Sequence, residues 1–344
     1  MNKKILITGG CGFIGANAAL SFAAQGHTVV VADNFSRKGS EVNKALLEKN
    51  SITILPSLDV SHEAQRLAEI VDQYAFDAII HAAAQVAVTT SVADPLFDFR
   101  SNALGTLHVL EAARAAKKQP HVLFTSTNKV YGGMEQVGIS EQETRYVYTD
   151  LVHGVPESLP LDFHSPYGCS KGSADQYVHD YARMYNFPTT VFRQSCIYGP
   201  NQFGIVDQGW VAYLTMLAFF DKPITLFGDG KQVRDILFVS DLVAAMQAAL
   251  DRPETSGGEI FNMGGGPTHT LSLLEFVAFL EERLGKKVVY THSDWRPGDQ
   301  KVYISDVRKA QEKLGWSPET PFEKGFDAMF AWIEENKDLL IKYV

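Results

Sequence analysis

Short apolar runs alternate with longer stretches of helical composition along the first half of this chain. Residues 5–8, 28–32, 52–55, 78–81 and 122–125 are rich in Ile, Val, Leu and Ala, without the regular polar interruptions of a half-exposed strand. Such runs read as strands buried on both faces. Between them, 16–24, 63–73 and 96–117 carry helix formers with apolar residues spaced for one face. Strand and helix in strict alternation predict an α/β fold built on a parallel, doubly wound sheet, with ligands at the carboxyl ends of its strands. A further strand is expected at 189–192. Residues 237–262 read as a helix and strand returning to the same sheet. The division that follows is a first domain of residues 1–193 rejoined by 237–262, and a smaller, discontinuous α/β domain of 194–236 and 263–344. Residues 322–341 are amphipathic and are expected to pack as a terminal helix.

The first strand runs into Gly9-Gly10-Cys11-Gly12-Phe13-Ile14-Gly15 and then a helix. Strand, glycine loop and helix in that order mark a Rossmann-like dinucleotide fold. The glycines permit a tight turn and close backbone approach, and the helix N-terminus offers free N–H groups to a pyrophosphate. The second strand ends at Asp33, 18 residues past Gly15. A carboxylate there accepts from ribose hydroxyls and repels a 2′-phosphate, so NAD is expected. Arg37 and Lys38, close behind, are the features that would welcome NADP instead. Polar or small residues also cluster at other strand ends: Asp59, placed to meet the adenine amino group, then His81 with Ala82, Ala83 and Ala84, then Thr125-Ser126-Thr127. His81 reads as a packed histidine. Asn102 falls inside a helix, where an asparagine is costly unless bonded. It is expected to be a structural hydrogen-bonding residue that can also touch the site.

The stretch His164-Ser165-Pro166-Tyr167-Gly168-Cys169-Ser170-Lys171 places a phenol and an ammonium four residues apart, behind a proline suited to a first helical turn. On a helix the two share a face. A free tyrosine titrates near 10, so action as a base at neutral pH asks for roughly 3 units, or about 4 kcal/mol. One cation at about 5 Å in an effective dielectric of about 20 supplies roughly 3 kcal/mol. A second positive charge, such as an oxidised nicotinamide, closes the gap.

Composition narrows the partners. The 344 residues carry a formal charge of −9, with 45% hydrophobic and 21% charged content. That is ordinary for a globular protein and argues against broad binding to nucleic acid or anionic membrane. An anionic ligand must meet local positive charge. Three cysteines, Cys11, Cys169 and Cys196, form no C-x-x-C pair; neither a metal site nor a disulfide framework is suggested, and a reducing compartment fits. With no targeting or membrane-spanning segment apparent, a cytoplasmic protein is expected.

Three separated features agree: the glycine loop with Asp33, the string Phe124-Thr125-Ser126-Thr127-Asn128-Lys129-Val130-Tyr131-Gly132, and Tyr167 with Lys171. Together they resemble the extended short-chain dehydrogenase/reductases, specifically the nucleotide-sugar epimerases and dehydratases, over essentially the whole chain. The resemblance implies that Thr127 hydrogen-bonds the reacting sugar oxygen, that Tyr167 is the acid/base, and that Lys171 holds the nicotinamide ribose and lowers the tyrosine's pKa. It implies a cofactor site of Gly9, Gly12, Phe13, Ile14, Asp33, Asn34, Ser36, Arg37, Asp59, Val60, Ala82, Ala83, Ala84, Asn102, Thr125, Tyr167 and Lys171. The 4,6-dehydratases carry an Asp-Glu pair after the hydroxyl residue, because expelling water needs a further acid and base. Asn128-Lys129 stands here, which speaks against elimination. With 161–172 and Asp207-Gln208-Gly209-Trp210, the string looks similar to the branch of 2-epimerases that act on CDP-paratose and CDP-tyvelose.

In the second half, the resemblance implies a substrate site of Val86, Thr90, Thr127, Asn128, Ser195, Cys196, Arg234, Arg296 and Asp299. Cys196 stands where most relatives have an asparagine at the nucleotide diphosphate; a packed cysteine is expected rather than a nucleophile. Gly228-Asp229-Gly230-Lys231-Gln232-Val233-Arg234-Asp235 is similar to the family's diphosphate-binding hairpin. Trp295-Arg296-Pro297-Gly298-Asp299-Gln300 is similar to its second anion contact, with Asp299 on a ribose hydroxyl or on Arg296. Guanidinium forks suit phosphate oxygens, while for Arg234 a surface salt bridge is the plain alternative. The implied reaction is an epimerisation by transient oxidation with tightly held NAD+. The implied substrate is a nucleotide-diphosphate sugar, and the implied assembly a homodimer through 96–117 and 167–186. A UDP-sugar 4-epimerase, of the UDP-glucose or UDP-glucuronate type, shares the same catalytic residues. A non-catalytic NAD(P)-binding sensor or scaffold shares the fold.

Overall fold

The computed structural model describes residues 2–296 and 298–344; Met1, and Pro297 of the Trp295-to-Gln300 string, lie outside the described residues. Among those described, seven strands form one sheet: β1 (Lys4–Thr8), β2 (Thr28–Ala32), β3 (Thr53–Ile54), β4 (Ala78–His81), β5 (His121–Thr127), β6 (Thr189–Gln194) and β7 (Glu259–Met263). Their order is β7-β6-β5-β4-β1-β2-β3, parallel throughout. The order reverses between β1 and β4, which opens a crevice at their carboxyl ends.

The unbroken apolar runs are explained by two cores. Ile5, Ile7, Val29, Val31 and Ile80 point into one, beneath helices Phe13–Ala24 and Val239–Asp251. Leu6, Val30 and Ile79 point into the other, beneath Ala64–Tyr74, Gly105–Ala115 and Ser165–Tyr185. Each such side chain contributes about 1.5–3 kcal/mol on burial. The smaller lobe has its own core between helices Trp210–Phe219, Leu273–Leu284 and Phe322–Glu335, flanking a sheet built on strand Val233–Phe238.

Three expectations need adjustment. The long helix at 96–117 is broken into Pro95–Phe99, a π-helical turn Arg100–Leu104, and Gly105–Ala115. The widened turn brings Asp98 and Asn102, both buried, within bonding distance of one another and of Ser170. The strand at 52–55 shrinks to Thr53–Ile54 at the sheet edge. The division at 263 is crossed once more: Ala310, Leu314 and Trp316 sit in the core under Phe13–Ala24, because helix Arg308–Leu314 packs on β7.

His81, at the end of β4, is wholly buried and bonded on both ring nitrogens, to Thr8 Oγ1 at 2.7 Å and Thr106 Oγ1 at 3.0 Å. Burial, with a smaller push from the Lys171 ammonium, lowers it to about 3. It is a neutral packing residue, as expected. An unfolded histidine titrates near 6.5, so between pH 6.5 and 3 the unfolded chain binds the extra proton. The stability His81 carries is therefore full above 6.5 and is lost as pH falls through that window. Urea denaturation of His81→Gln should show stability falling less steeply than wild type from pH 6.5 to 4, by up to about 1.4 kcal/mol per pH unit; parallel slopes would contradict the assignment.

Candidate active site

The glycine loop closes β1 against its neighbours. Gly9 adopts a left-handed φ of +67°, and a Cβ there would lie 2.5 Å from Ala83 N. A Cβ on Gly15 would lie 2.4 Å from Gly9 O. The loop is thus pressed against Ala82 and Ala83 at the end of β4, with Ala84 following. Helix Phe13–Ala24 begins at Gly12 without a side-chain cap, which leaves the first-turn N–H groups, Phe13 and Ile14 among them, for a ligand. Asp33, at the end of β2, braces the loop by accepting from Cys11 N at 2.9 Å and Phe35 N at 2.8 Å. Burial raises its pKa against those bonds. Beyond it Asn34 accepts from Ser36 and donates to Asp59 at 2.9 Å. Burial works to raise the Asp59 carboxyl, but the bonds from Ser61 and Asn34 outweigh it and hold the pKa below the usual value. Val60 O accepts from His108 at 2.8 Å. These residues fit a dinucleotide: a loop packed too closely for a Cβ at Gly9 or Gly15, an uncapped helix end, and a carboxylate at the end of β2.

Asn102 is not turned toward this groove. Its Oδ1 accepts from Gln85 N at 2.9 Å, and its Nδ2 donates to Asp98 at 3.2 Å and Ser170 Oγ at 3.0 Å. The structural half of the expectation describes these contacts; every polar atom is already used.

Tyr167, Lys171, Thr125 and Thr127 come together where helix Ser165–Tyr185 meets the ends of β4 to β6. Lys171 is 2% exposed; its Nζ donates to Thr125 O at 2.6 Å and lies 4.1 Å from the Phe124 ring centre. Burial pushes it down to about 7, while Asp175 and Asp98 favour its charged form. Burial pushes Tyr167 up to about 12, with Thr127's hydroxyl and the Arg37 guanidinium pulling it down and Asp98 raising it. The lysine stem runs toward the sheet, where its ammonium bonds Thr125 O and lies over the Phe124 ring. Arg37 reaches the Gln208 side chain across the cleft, and its charge is felt by both Tyr167 and Asp33.

Beneath this cluster lies a network that sequence reading missed. Asp175 receives both Nε and Nη2 of Arg193, at 2.9 and 2.8 Å, and Ser126 Oγ at 2.7 Å. Arg193 also donates to Tyr131 Oη at 3.0 Å. Asp175 stands one helical turn past Lys171, so the i, i+4 spacing was the available signal.

On the facing lobe, Arg234 is buried and donates to Asp299 Oδ1 at 2.7 Å. The same oxygen accepts from Lys129 Nζ at 3.2 Å. Arg296 pairs instead with Asp207, at 3.2 Å, donates to Val206 O and stacks 3.9 Å from the Phe227 ring centre. Asp299 thus bonds Arg234 and Lys129, not Arg296, whose charge it only feels. Burial pushes the Cys196 thiol up, and its sulfur accepts from Trp210 Nε1 at 3.2 Å; this is a packed thiol. Ser195 Oγ is spent on buried Asp235. Asn128 donates to Gln300 at 3.1 Å. Val86 is half-buried, and Thr90 is exposed. It is the neighbouring Thr89, unnoticed in the sequence, that bonds Asp207 at 2.6 Å.

Comparison with known proteins agrees in direction. The family described as GDP-mannose 4,6 dehydratase matches residues 6–329. CDP-paratose 2-epimerase of Salmonella typhi is 41% identical over 96% of this chain and 98% of its own. UDP-glucuronate 4-epimerase of Thermodesulfobacterium geofontis is 29% identical over 97% of each. The crystal structure of UDP-glucuronic acid 4-epimerase from Bacillus cereus, in complex with UDP-glucuronic acid and NAD, superposes with a TM-score of 0.82 at 28% identity, over 96% of this chain and 99% of that one.

Proposed function

We propose that this chain, which belongs to the GDP-mannose 4,6-dehydratase family of short-chain dehydrogenase/reductases, is an NAD-dependent nucleotide-sugar epimerase that inverts C2 in interconverting CDP-paratose and CDP-tyvelose. The observation that carries the reading is what surrounds the catalytic trio. Thr127, Tyr167 and Lys171 converge beside the glycine cradle, while the two residues after Thr127 are an amide and an ammonium, Asn128 bonded to Gln300 and to the Thr127 hydroxyl and Lys129 to Asp299. An elimination needs a second acid and base at that point; an epimerisation needs none. The 41% identity to a CDP-paratose 2-epimerase supports the choice of sugar.

Gly9, Gly12, Phe13 and Ile14 would hold the NAD pyrophosphate, Asp33 the adenosine ribose and Lys171 the nicotinamide ribose. NAD, when bound, supplies a hydride acceptor and donor and, when oxidised, a positive charge. That charge is what a phenol pushed up by burial requires, since the chain's own cations do not overcome the desolvation. Tyr167 Oη then takes the proton of the sugar hydroxyl and returns it to the same oxygen. Thr127 Oγ1 holds that oxygen while the sugar turns its other face. The proton and the oxidation level are both restored, so the net reaction is inversion alone.

The exposed apolar side chains Leu96, Phe97, Phe99, Met184 and Tyr185 lie on helix Pro95–Phe99 and on helix Ser165–Tyr185, which pack on each other. A patch of this kind supports a homodimer through these helices. Cys11, Cys169 and Cys196 are all free thiols, with Cys169 exposed, and among the described residues no helix is long and apolar enough to cross a membrane. Both facts support a place in the reducing cytoplasm.

Tyr167→Phe should keep NAD, measured as nucleotide released on denaturation, and lose turnover by about 10²–10⁴-fold; near-normal turnover removes the acid/base role. A panel of CDP-, UDP- and GDP-sugars followed by NMR should show inversion at C2 of a CDP-sugar, and inversion at C4 of a UDP-sugar would replace this reading. In analytical ultracentrifugation the protein should sediment as a dimer and a Leu96→Glu, Phe99→Glu variant as a monomer. A monomeric wild type rules the interface out.

A further inference from the structure

Lys129 is unexplained by the reaction as drawn. It is the second residue of the short turn Asn128–Tyr131 directly after β5, and its own N–H is donated to Thr127 Oγ1 at 3.3 Å. Its ammonium turns into the cleft, where it meets Asp299 Oδ1 at 3.2 Å and Gly298 O at 3.3 Å. Asp299 Oδ1 also holds Arg234. Two basic groups share a single carboxylate oxygen in this half-buried corner, where burial and the Arg234 guanidinium press Lys129 toward its neutral form against Asp299, so a further anion would be favoured. Cys196 beside them, a thiol with its pKa raised by burial, does not supply one. Two other cations of the cleft are engaged elsewhere, Arg296 on Asp207, Val206 O and the Phe227 ring and Arg37 on the Gln208 side chain. The corner is built for an anion, and Lys129 is the member nearest in sequence to the catalytic hydroxyl.

The chemistry of the substrate says which anion. The anomeric oxygen joins the sugar-side phosphate to C1, so that phosphate lies beside C2 and across the ring from C4. A sugar that presents C2 to Tyr167 and Thr127 must bring its phosphate close to the catalytic pair; one that presents C4 holds it away. An ammonium two residues from Thr127 is therefore placed for the first pose and idle in the second. We propose that Lys129 binds the sugar-side phosphate and thereby fixes the C2 pose, exchanging its bond to Asp299 for one to the phosphate. Lysine suits this task as a compact, mobile point charge, whereas the arginine fork holds one planar geometry. The inference rests on the nucleotide-sugar reading and deepens it, because the catalytic trio alone does not choose between C2 and C4.

Isothermal titration of the NAD-loaded protein with CDP and with CMP separates the phosphates. Wild type should bind CDP more tightly than CMP. Lys129→Met should lose about tenfold or more in CDP affinity with CMP affinity unchanged, the latter also reporting an intact site. Lys129→Arg should keep most of the difference, and Lys129→Gln repeats the reading should methionine disturb the turn. With the CDP-sugar, Lys129→Met should also lower kcat for C2 inversion at saturating substrate, since a sugar no longer anchored beside C2 presents other carbons to the phenol. An unchanged CDP-to-CMP ratio overturns the phosphate contact. A ratio that falls with kcat unchanged overturns the pose assignment and leaves uniform binding. If wild type binds neither nucleotide, the nucleotide-sugar reading itself fails, which is a different result from either.

Discussion

The site depends on one buried ion pair. Asp175 takes both arms of Arg193 from β6 and the Ser126 hydroxyl from β5, and neither charged group is appreciably exposed. One helical side chain thereby ties Ser165–Tyr185 to two adjacent strands at their carboxyl ends. Removing either partner would strand an uncompensated charge, at a cost of about 3–5 kcal/mol. Such a pair contributes more to position than to net stability, since an apolar filling of the same space holds a core equally well. What it specifies here is the height and rotation of the helix that carries Tyr167 and Lys171. On the other flank, Asp98 in helix Pro95–Phe99 and Asn102 in the widened π turn hold Ser170, so the helix is gripped from both sides of its functional turn.

Within that grip, burial and charge compete over the same two residues. The desolvation that raises Tyr167 to about 12 also lowers Lys171 to about 7, so each is pushed toward its neutral form. Asp175 and Asp98 act to keep the lysine charged. For the phenol, the favourable influences within the chain are Thr127 and Arg37, and they do not overcome burial. In the reaction proposed above, the phenol is a group whose ionisation is helped by a bound positive charge, which would couple proton transfer to the presence of oxidised cofactor. A phenol that stayed ionised in the free protein would lack that coupling.

The two lobes share apolar packing, with Ala310, Leu314 and Trp316 in the first core, and meet across the cleft through polar contacts. Arg37 reaches Gln208, Thr89 and Arg296 both reach Asp207, and Lys129 reaches Asp299. The cleft between them is lined by cations held on carboxylates, an arrangement that an entering diphosphate can take over by exchange. This resolves the tension between an acidic chain and an anionic substrate: the net charge of −9 is spread over the surface, while the corner at Asp299 is locally positive. It also separates this chain from a dehydratase within its own family, because the amide of Asn128 and the ammonium of Lys129 stand where elimination needs a further acid and base.

The sequence by itself determined the parallel sheet, the glycine loop with Asp33 and the meeting of Thr127, Tyr167 and Lys171. These follow from short-range rules: unbroken apolar runs for strands buried on both faces, glycine where no Cβ fits, and side chains one helical turn apart. Tertiary structure alone decided the rest, because each remaining feature depends on residues far apart in the chain. The π turn that breaks 96–117 answers to Ser170, and the return of Arg308–Leu314 to the first core answers to β7. Asp299 chooses Arg234 and Lys129 over the nearby Arg296. The balance at the tyrosine belongs here too: a pair of residues fixes a Coulomb term, but desolvation is set by everything packed around them.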